Sequence, residues 1–184
     1  HTKSVTEGTH FVRRELRHMI KLEKKVLGLG GRKAEKVVVH LQAEWWGEGL
    51  PAELGPVTEL LEAVAAESGG WSAAAPAPVL VHCLDGGRRS GLFAALYRAG
   101  GQLIRSKGQL DLRQIVRSVR LARYGSLPRA SSYSELWRGL LHLAARHHLL
   151  PPSPLLSQFQ ALLLQIRPAA SSSETDKTDY TLSL

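Results

Sequence analysis

The sequence predicts an α/β fold, a central twisted mixed β-sheet flanked by helices, on three observations. Two β-branched, alternating segments, residues 11–16 and 36–43, flank the turn-rich Leu27-Gly28-Leu29-Gly30-Gly31 and read as a hairpin. The continuous apolar run Val79-Leu80-Val81 leads through a glycine-bearing segment into a helical pattern, an order of strand, tight loop and helix. Several other stretches repeat apolar residues at helical spacing.

Taken in order, the hairpin is followed, after Pro51, by Val57, Leu60, Leu61, Val64 and Ala65, a helix of about four turns stopped by Ser68-Gly69-Gly70. Ala74-Ala75-Pro76-Ala77-Pro78 then feeds Val79-Leu80-Val81, whose unbroken apolar character between breakers suits a strand buried on both faces and ending at His82. From Ser90 through Leu96 to about Ile104 the pattern is helical. Residues 110–123 form an amphipathic helix, with Leu112, Ile115, Val116, Val119 and Leu121 on its buried face. Residues 131–149 form the next, capped by Ser131 or Ser132 ahead of Glu135. Pro151-Pro152-Ser153-Pro154 breaks it, and residues 155–166 form a last helix. The expected organisation is a principal domain over residues 1–150, an accessory carboxy-terminal helix over 151–168, and a polar, disordered tail over 169–184.

Bulk properties narrow the function classes. The 184 residues, 43% apolar and 22% charged, suit one principal globular domain. No run approaches the roughly 18 apolar residues of a membrane span, and no signal-peptide pattern opens the chain. A single cysteine excludes an internal disulfide framework and a multi-cysteine metal site, leaving a buried or a reactive thiol in a reducing, cytoplasmic setting. The net charge of +8 is spread over Arg13, Arg14, Lys24, Lys25, Arg88, Arg89, Arg113, Arg117, Arg120 and Arg123, without interleaved aromatics or a recognition-helix motif. No specific nucleic-acid partner is expected. Because the sequence opens on His1-Thr2-Lys3, it reads as a fragment of a longer chain.

The segment His82-Cys83-Leu84-Asp85-Gly86-Gly87-Arg88-Arg89-Ser90-Gly91 carries the chemistry. A loop between a strand and a helix start makes backbone N–H groups converge on an anion. Gly86 and Gly87 allow the tight bend and close approach to a ligand. Arg89 adds a planar fork for two phosphate oxygens. The same positive field favours the thiolate of Cys83, the form that attacks phosphorus.

A cysteine, five intervening residues and Arg-Ser, preceded by Val-His and followed by Gly, resembles the signature of the protein-tyrosine phosphatase family. The resemblance covers residues 11–149. Val38-Val39-His40-Leu41-Gln42 and Trp45-Trp46-Gly47-Glu48-Gly49-Leu50-Pro51 resemble the family's strand and movable general-acid loop. Residues 111–133 resemble the helix and loop that supply its water-positioning glutamines. The resemblance implies a tyrosine phosphatase-like partial domain, incomplete at its amino end, acting on a phosphotyrosine protein or peptide with no metal and no cofactor. Cys83 is then the nucleophile that forms a cysteinyl-phosphate, Arg89 the phosphate clamp, and Ser90 the hydroxyl that assists the leaving thiolate. His82 orients the loop, and Leu84, Asp85, Gly86, Gly87, Arg88 and Gly91 complete it.

Four departures bear on turnover. Trp46-Gly47-Glu48 matches the family's Trp-Pro-Asp only with a shortened loop, which leaves Glu48 a weak general acid. Asp85 sets a carboxylate beside the phosphate pocket, where like charge weakens binding and raises the cysteine pKa. Arg88 replaces a glycine where the loop favours glycine-only angles. The two glutamine positions hold Pro128 and Ser132, neither of which replaces an amide that donates and accepts. This set resembles the membrane-distal second domains of receptor-type tyrosine phosphatases, which implies a regulatory role toward another phosphatase domain. The setting is then the cytoplasmic part of a single-pass receptor, with the membrane reached only through an upstream segment. Two functions compete on these residues: a weak phosphatase, and a phosphate-binding module without turnover.

Overall fold

The structure, a computed structural model, describes residues 2–7, 10–21, 33–47, 53–129, 131–150 and 153–165. Strands β1 (Thr2–Glu7), β2 (Val12–Lys21) and β3 (Lys33–Gln42) form an antiparallel sheet in the order β1-β2-β3. The expected hairpin is present and longer than its sequence pattern, with Val12 opposite Gln42 at one end and Lys21 opposite Lys33 at the other. Its turn residues, Leu27 to Gly31, lie outside the described residues.

Among the described side chains, the end of the hairpin next to the first helix meets the core. Phe11, Leu41 and Ala43 pack against buried side chains, while Leu16, Val37 and Val38 further along are exposed. Arg13 ties this end to the first helix through Glu67, at 2.7 Å.

The chain is α/β as expected, but among the described residues its sheet is antiparallel rather than mixed. The strand expected at Val79-Leu80-Val81 does not pair with any described strand, and Leu80 is 91% exposed. An apolar run becomes a buried strand only where strands pair along its edges and packed elements cover both faces, and none of the described strands runs beside it. Val81 alone of the three packs against the core.

The helices are α1 (Gly55–Glu67), α2 (Arg88–Arg105), α3 (Leu112–Ala122), α4 (Ser131–Arg146) and α5 (Pro154–Gln165). Pro56 lies in the first turn of α1, where its missing N–H costs no helical bond. Asp111 caps α3 by accepting from the Gln114 amide at 2.9 Å. Leu112, Ile115, Val116 and Val119 are buried as the periodicity requires, but Leu121 is 78% exposed. Nine residues at about 100° each place it half a turn from Leu112, so it belongs to the outer face. Helix α4 closes three residues earlier than its apolar pattern. His148 adopts a left-handed φ of 54°, and the Leu149 amide returns to the Ala144 carbonyl at 2.9 Å, a C-terminal cap that stops propagation.

Helix α2 runs through the core with α1, α3 and α4 around it. Its Leu92, Phe93, Leu96 and Ala99 meet Val57, Leu61, Val116, Leu136 and Leu140 in one cluster. Gly100 permits the closest helix contact, because a Cβ there would lie 2.6 Å from Cδ2 of the buried Leu143. Arg146 Nε donates to both Glu62 oxygens, at 2.8 and 3.0 Å, and joins α4 to α1 on the outside. Among the described residues no helix is long and apolar enough to cross a membrane.

Overpacking the α2–α4 contact gives the first prediction. Gly100→Val should cost about 1–3 kcal/mol, seen as a lower urea midpoint at unchanged slope. An unchanged midpoint would show that the contact relaxes freely.

Candidate active site

Residues 82–87 turn sharply into α2. Gly86 has a φ of 73°, a left-handed conformation that glycine adopts without strain, and Gly87 stands at the N-cap of α2. The turn folds amides toward the cysteine: Gly86 N–H donates to Cys83 Sγ at 3.2 Å. Asp85 lies in the same turn. Its Oδ1 accepts from Gly87 N–H at 3.0 Å and from the Cys83 thiol at 3.4 Å.

The bend after α3 backs this turn. Arg123 Nη2 donates to the Asp85 carbonyl at 3.0 Å. A Cβ on Gly87 would lie 3.2 Å from the Gly125 carbonyl oxygen, and one on Gly91 would lie 3.0 Å from Ser126 Cβ. Both glycines therefore serve close packing of the loop and helix start. In the sequence Arg123 is one of many dispersed basic residues, and nothing in its local pattern marks it, since the contact spans 38 residues.

The other wall is the segment after β3. Arg89, half-buried in the first turn of α2, donates from Nη1 to the Trp46 carbonyl at 2.9 Å. Trp46 is buried, stacked on Trp45 with centroids 5.6 Å apart and edge-on to Phe93 of α2 at 6.2 Å. Trp45 Nε1 donates in turn to the His10 carbonyl. The residues leading to the expected general acid are thus docked on the helix that carries Arg89. Glu48 itself lies outside the described residues.

Partial burial pushes the Cys83 thiol up, but the Ser90 hydroxyl, the Ser90 amide and the Gly86 amide together outweigh it and hold the pKa below the ordinary thiol range. Asp85 opposes them. Ser90 Oγ is buried and has no other hydrogen-bond partner among the described residues, which leaves its hydroxyl available to the sulfur. Hydrogen bonding from the Gly87 amide and then from Cys83 keeps the Asp85 carboxyl below its usual range.

The other expected site residues lie around this turn. Arg88 opens α2 without a left-handed φ, so the glycine-only geometry expected there is absent: the left-handed angle falls on Gly86 instead. The His82 side chain, expected to orient the loop, is exposed and makes no hydrogen bond among the described residues. Leu84 is 93% exposed on the rim. Leu127, just before Pro128, is buried with a φ of 54°, and Arg120 Nη2 holds its carbonyl at 2.7 Å. Ser132 is buried in the first turn of α4. Among the described residues no group of three or more His, Cys, Asp or Glu side chains could hold a metal ion.

The thiolate-stabilising set predicts that alkylation of Cys83 by iodoacetamide titrates below the ordinary thiol range, and that Ser90→Ala moves this midpoint upward. A midpoint that Ser90→Ala leaves in place would remove the hydroxyl from the set.

Residues 3–142 match the sequence profile of the family described as Protein-tyrosine phosphatase. Among curated relatives, Tyrosine-protein phosphatase non-receptor type 7 of Homo sapiens is 34% identical over 114 residues, 62% of this chain and 30% of its own. Receptor-type tyrosine-protein phosphatase C of Rattus norvegicus is 32% identical over 112 residues, 58% of this chain and 9% of its own. Tyrosine-protein phosphatase corkscrew of Drosophila virilis is 26% identical over 115 residues, 60% of this chain and 15% of its own. The chain thus spans less than a third of each of these relatives, which include receptor and non-receptor types alike. With a cysteine, a loop of inward amides and an arginine in one turn, and a profile match over most of its length, the chain belongs to the protein-tyrosine phosphatase family.

Proposed function

We propose that this chain is a weak phosphatase domain that hydrolyses phosphotyrosine through a cysteinyl-phosphate. The observation that carries this reading is the Cys83 thiol held toward its thiolate by Ser90 and the Gly86 amide at the start of α2. In this reading the Cys83 thiolate attacks phosphorus and the phosphorus–oxygen bond to the tyrosine breaks. Arg89 binds two phosphate oxygens, and Ser90 donates toward the sulfur as water later cleaves the phosphorus–sulfur bond. Glu48 would protonate the departing phenolate; loss of such an acid typically slows a reaction about 10²–10⁴-fold. Pro128 and Ser132 offer no side-chain amide for the attacking water, so hydrolysis of the phosphoenzyme is the slow step.

A second reading, a phosphate-binding module without turnover, is favoured by Asp85, whose carboxylate already engages the loop. Its setting would be regulatory, beside another phosphatase domain in the cytoplasmic part of a receptor, with the domain over residues 1–150 followed by an accessory helix and a polar tail.

Release of p-nitrophenol from p-nitrophenyl phosphate by the full chain separates the readings. A weak phosphatase gives slow turnover that Cys83→Ser abolishes. A rate identical to that of the folded Cys83→Ser protein, with phosphopeptide binding that Arg89→Ala removes, assigns the module instead.

A further inference from the structure

The acidic residue in the loop does more than add a like charge. One oxygen, Asp85 Oδ1, takes the Gly87 amide at 3.0 Å and faces Cys83 Sγ at 3.4 Å. The Gly87 amide stands at the start of α2, where unpaired N–H groups and the helix dipole favour an anion. A carboxylate is therefore seated on a donor that an incoming oxyanion needs, next to the sulfur that it must reach. The seat is fixed from behind as well, because Arg123 Nη2 holds the carbonyl of the same residue at 3.0 Å and its guanidinium packs over Gly86.

We propose that Asp85 is a tethered competitor for the oxyanion: its carboxylate occupies the Gly87 amide, and a phosphate group enters the loop only by displacing it. The inference rests on reading this loop as a phosphate site. It differs from like-charge repulsion in what an uncharged acceptor does. Asparagine keeps an oxygen for the Gly87 amide and loses the charge, whereas alanine loses both. Repulsion alone makes the two variants equal; occupancy separates them.

The test is calorimetric titration of tungstate, a phosphate-shaped oxyanion, into the full 184-residue chain and its Asp85→Asn and Asp85→Ala variants. Asp85→Asn should bind more tightly than the unmodified chain. Asp85→Ala should bind about 3- to 10-fold more tightly again, the equivalent of one ordinary intramolecular hydrogen bond no longer competing. Equal affinities for the two variants overturn the proposal and leave only charge repulsion, and so does weaker binding by Asp85→Ala than by the unmodified chain. No binding to any of the three proteins removes the phosphate-site reading itself, and the proposal with it. A second measurement needs no substitution: on adding tungstate to the unmodified chain, the Gly87 amide resonance should move as its acceptor changes. A Gly87 resonance that stays fixed while those of Gly86 and Arg88 shift overturns the proposal.

Discussion

The start of α2 lies where it does because two glycines let it. At Gly87 and Gly91 a side chain would press on backbone or Cβ atoms of the bend after α3, at 3.2 and 3.0 Å. Such contacts are tighter than close-packed interiors tolerate without displacement. That approach brings Arg123 over Gly86 and onto the Asp85 carbonyl, and it fixes the turn that aims the Gly86 amide at Cys83. The cysteine's chemistry is thus governed by packing between two helices that are adjacent in sequence, not by the sheet. This is why the loop geometry survives although the run before it, residues 79–81, pairs with no described strand.

A second constraint arrives from the opposite side. The Trp45–Trp46 stack joins the end of β3 to Phe93, and the Trp46 carbonyl takes an N–H of Arg89. The guanidinium has five N–H donors in a rigid fork, so one edge can hold the wall while another faces an anion. The position of the Trp46 backbone and the orientation of Arg89 are therefore linked through this hydrogen bond. Asp85 acts against both walls: the amides and hydroxyl that stabilise the thiolate are opposed by a carboxylate within the same turn.

Where local periodicity was strong, the sequence was legible. The four buried positions of α3 and the stop of α1 at Ser68 followed from spacing and breakers alone. Legibility failed where a residue's state depends on distant partners. Leu80 has a strand's composition, yet its burial requires neighbours that the described residues do not supply. Leu121 looked apolar enough for the core, but its angle around the helix turned it outward. At the site, the cysteine, arginine and serine were readable because one short motif holds them. Arg123 and the wall at Gly125 and Ser126 were not, since no local pattern records a contact between a loop and a bend some 40 residues later.

The exposed valines of the hairpin bear on how the molecule behaves in concentrated solution. Among the described residues β3 is an edge strand, and Val37 and Val38 on it are open to solvent. Such an edge is a template for pairing with another chain unless charge keeps copies apart. Here Lys36 lies beside the valines, within a chain whose net charge is +8, and mutual repulsion supplies that protection. Its range shrinks as salt is added, to about 8 Å at physiological ionic strength, while the apolar attraction between edges remains. Colloidal stability and the anion-attracting field of the loop therefore draw on the same surplus of positive charge.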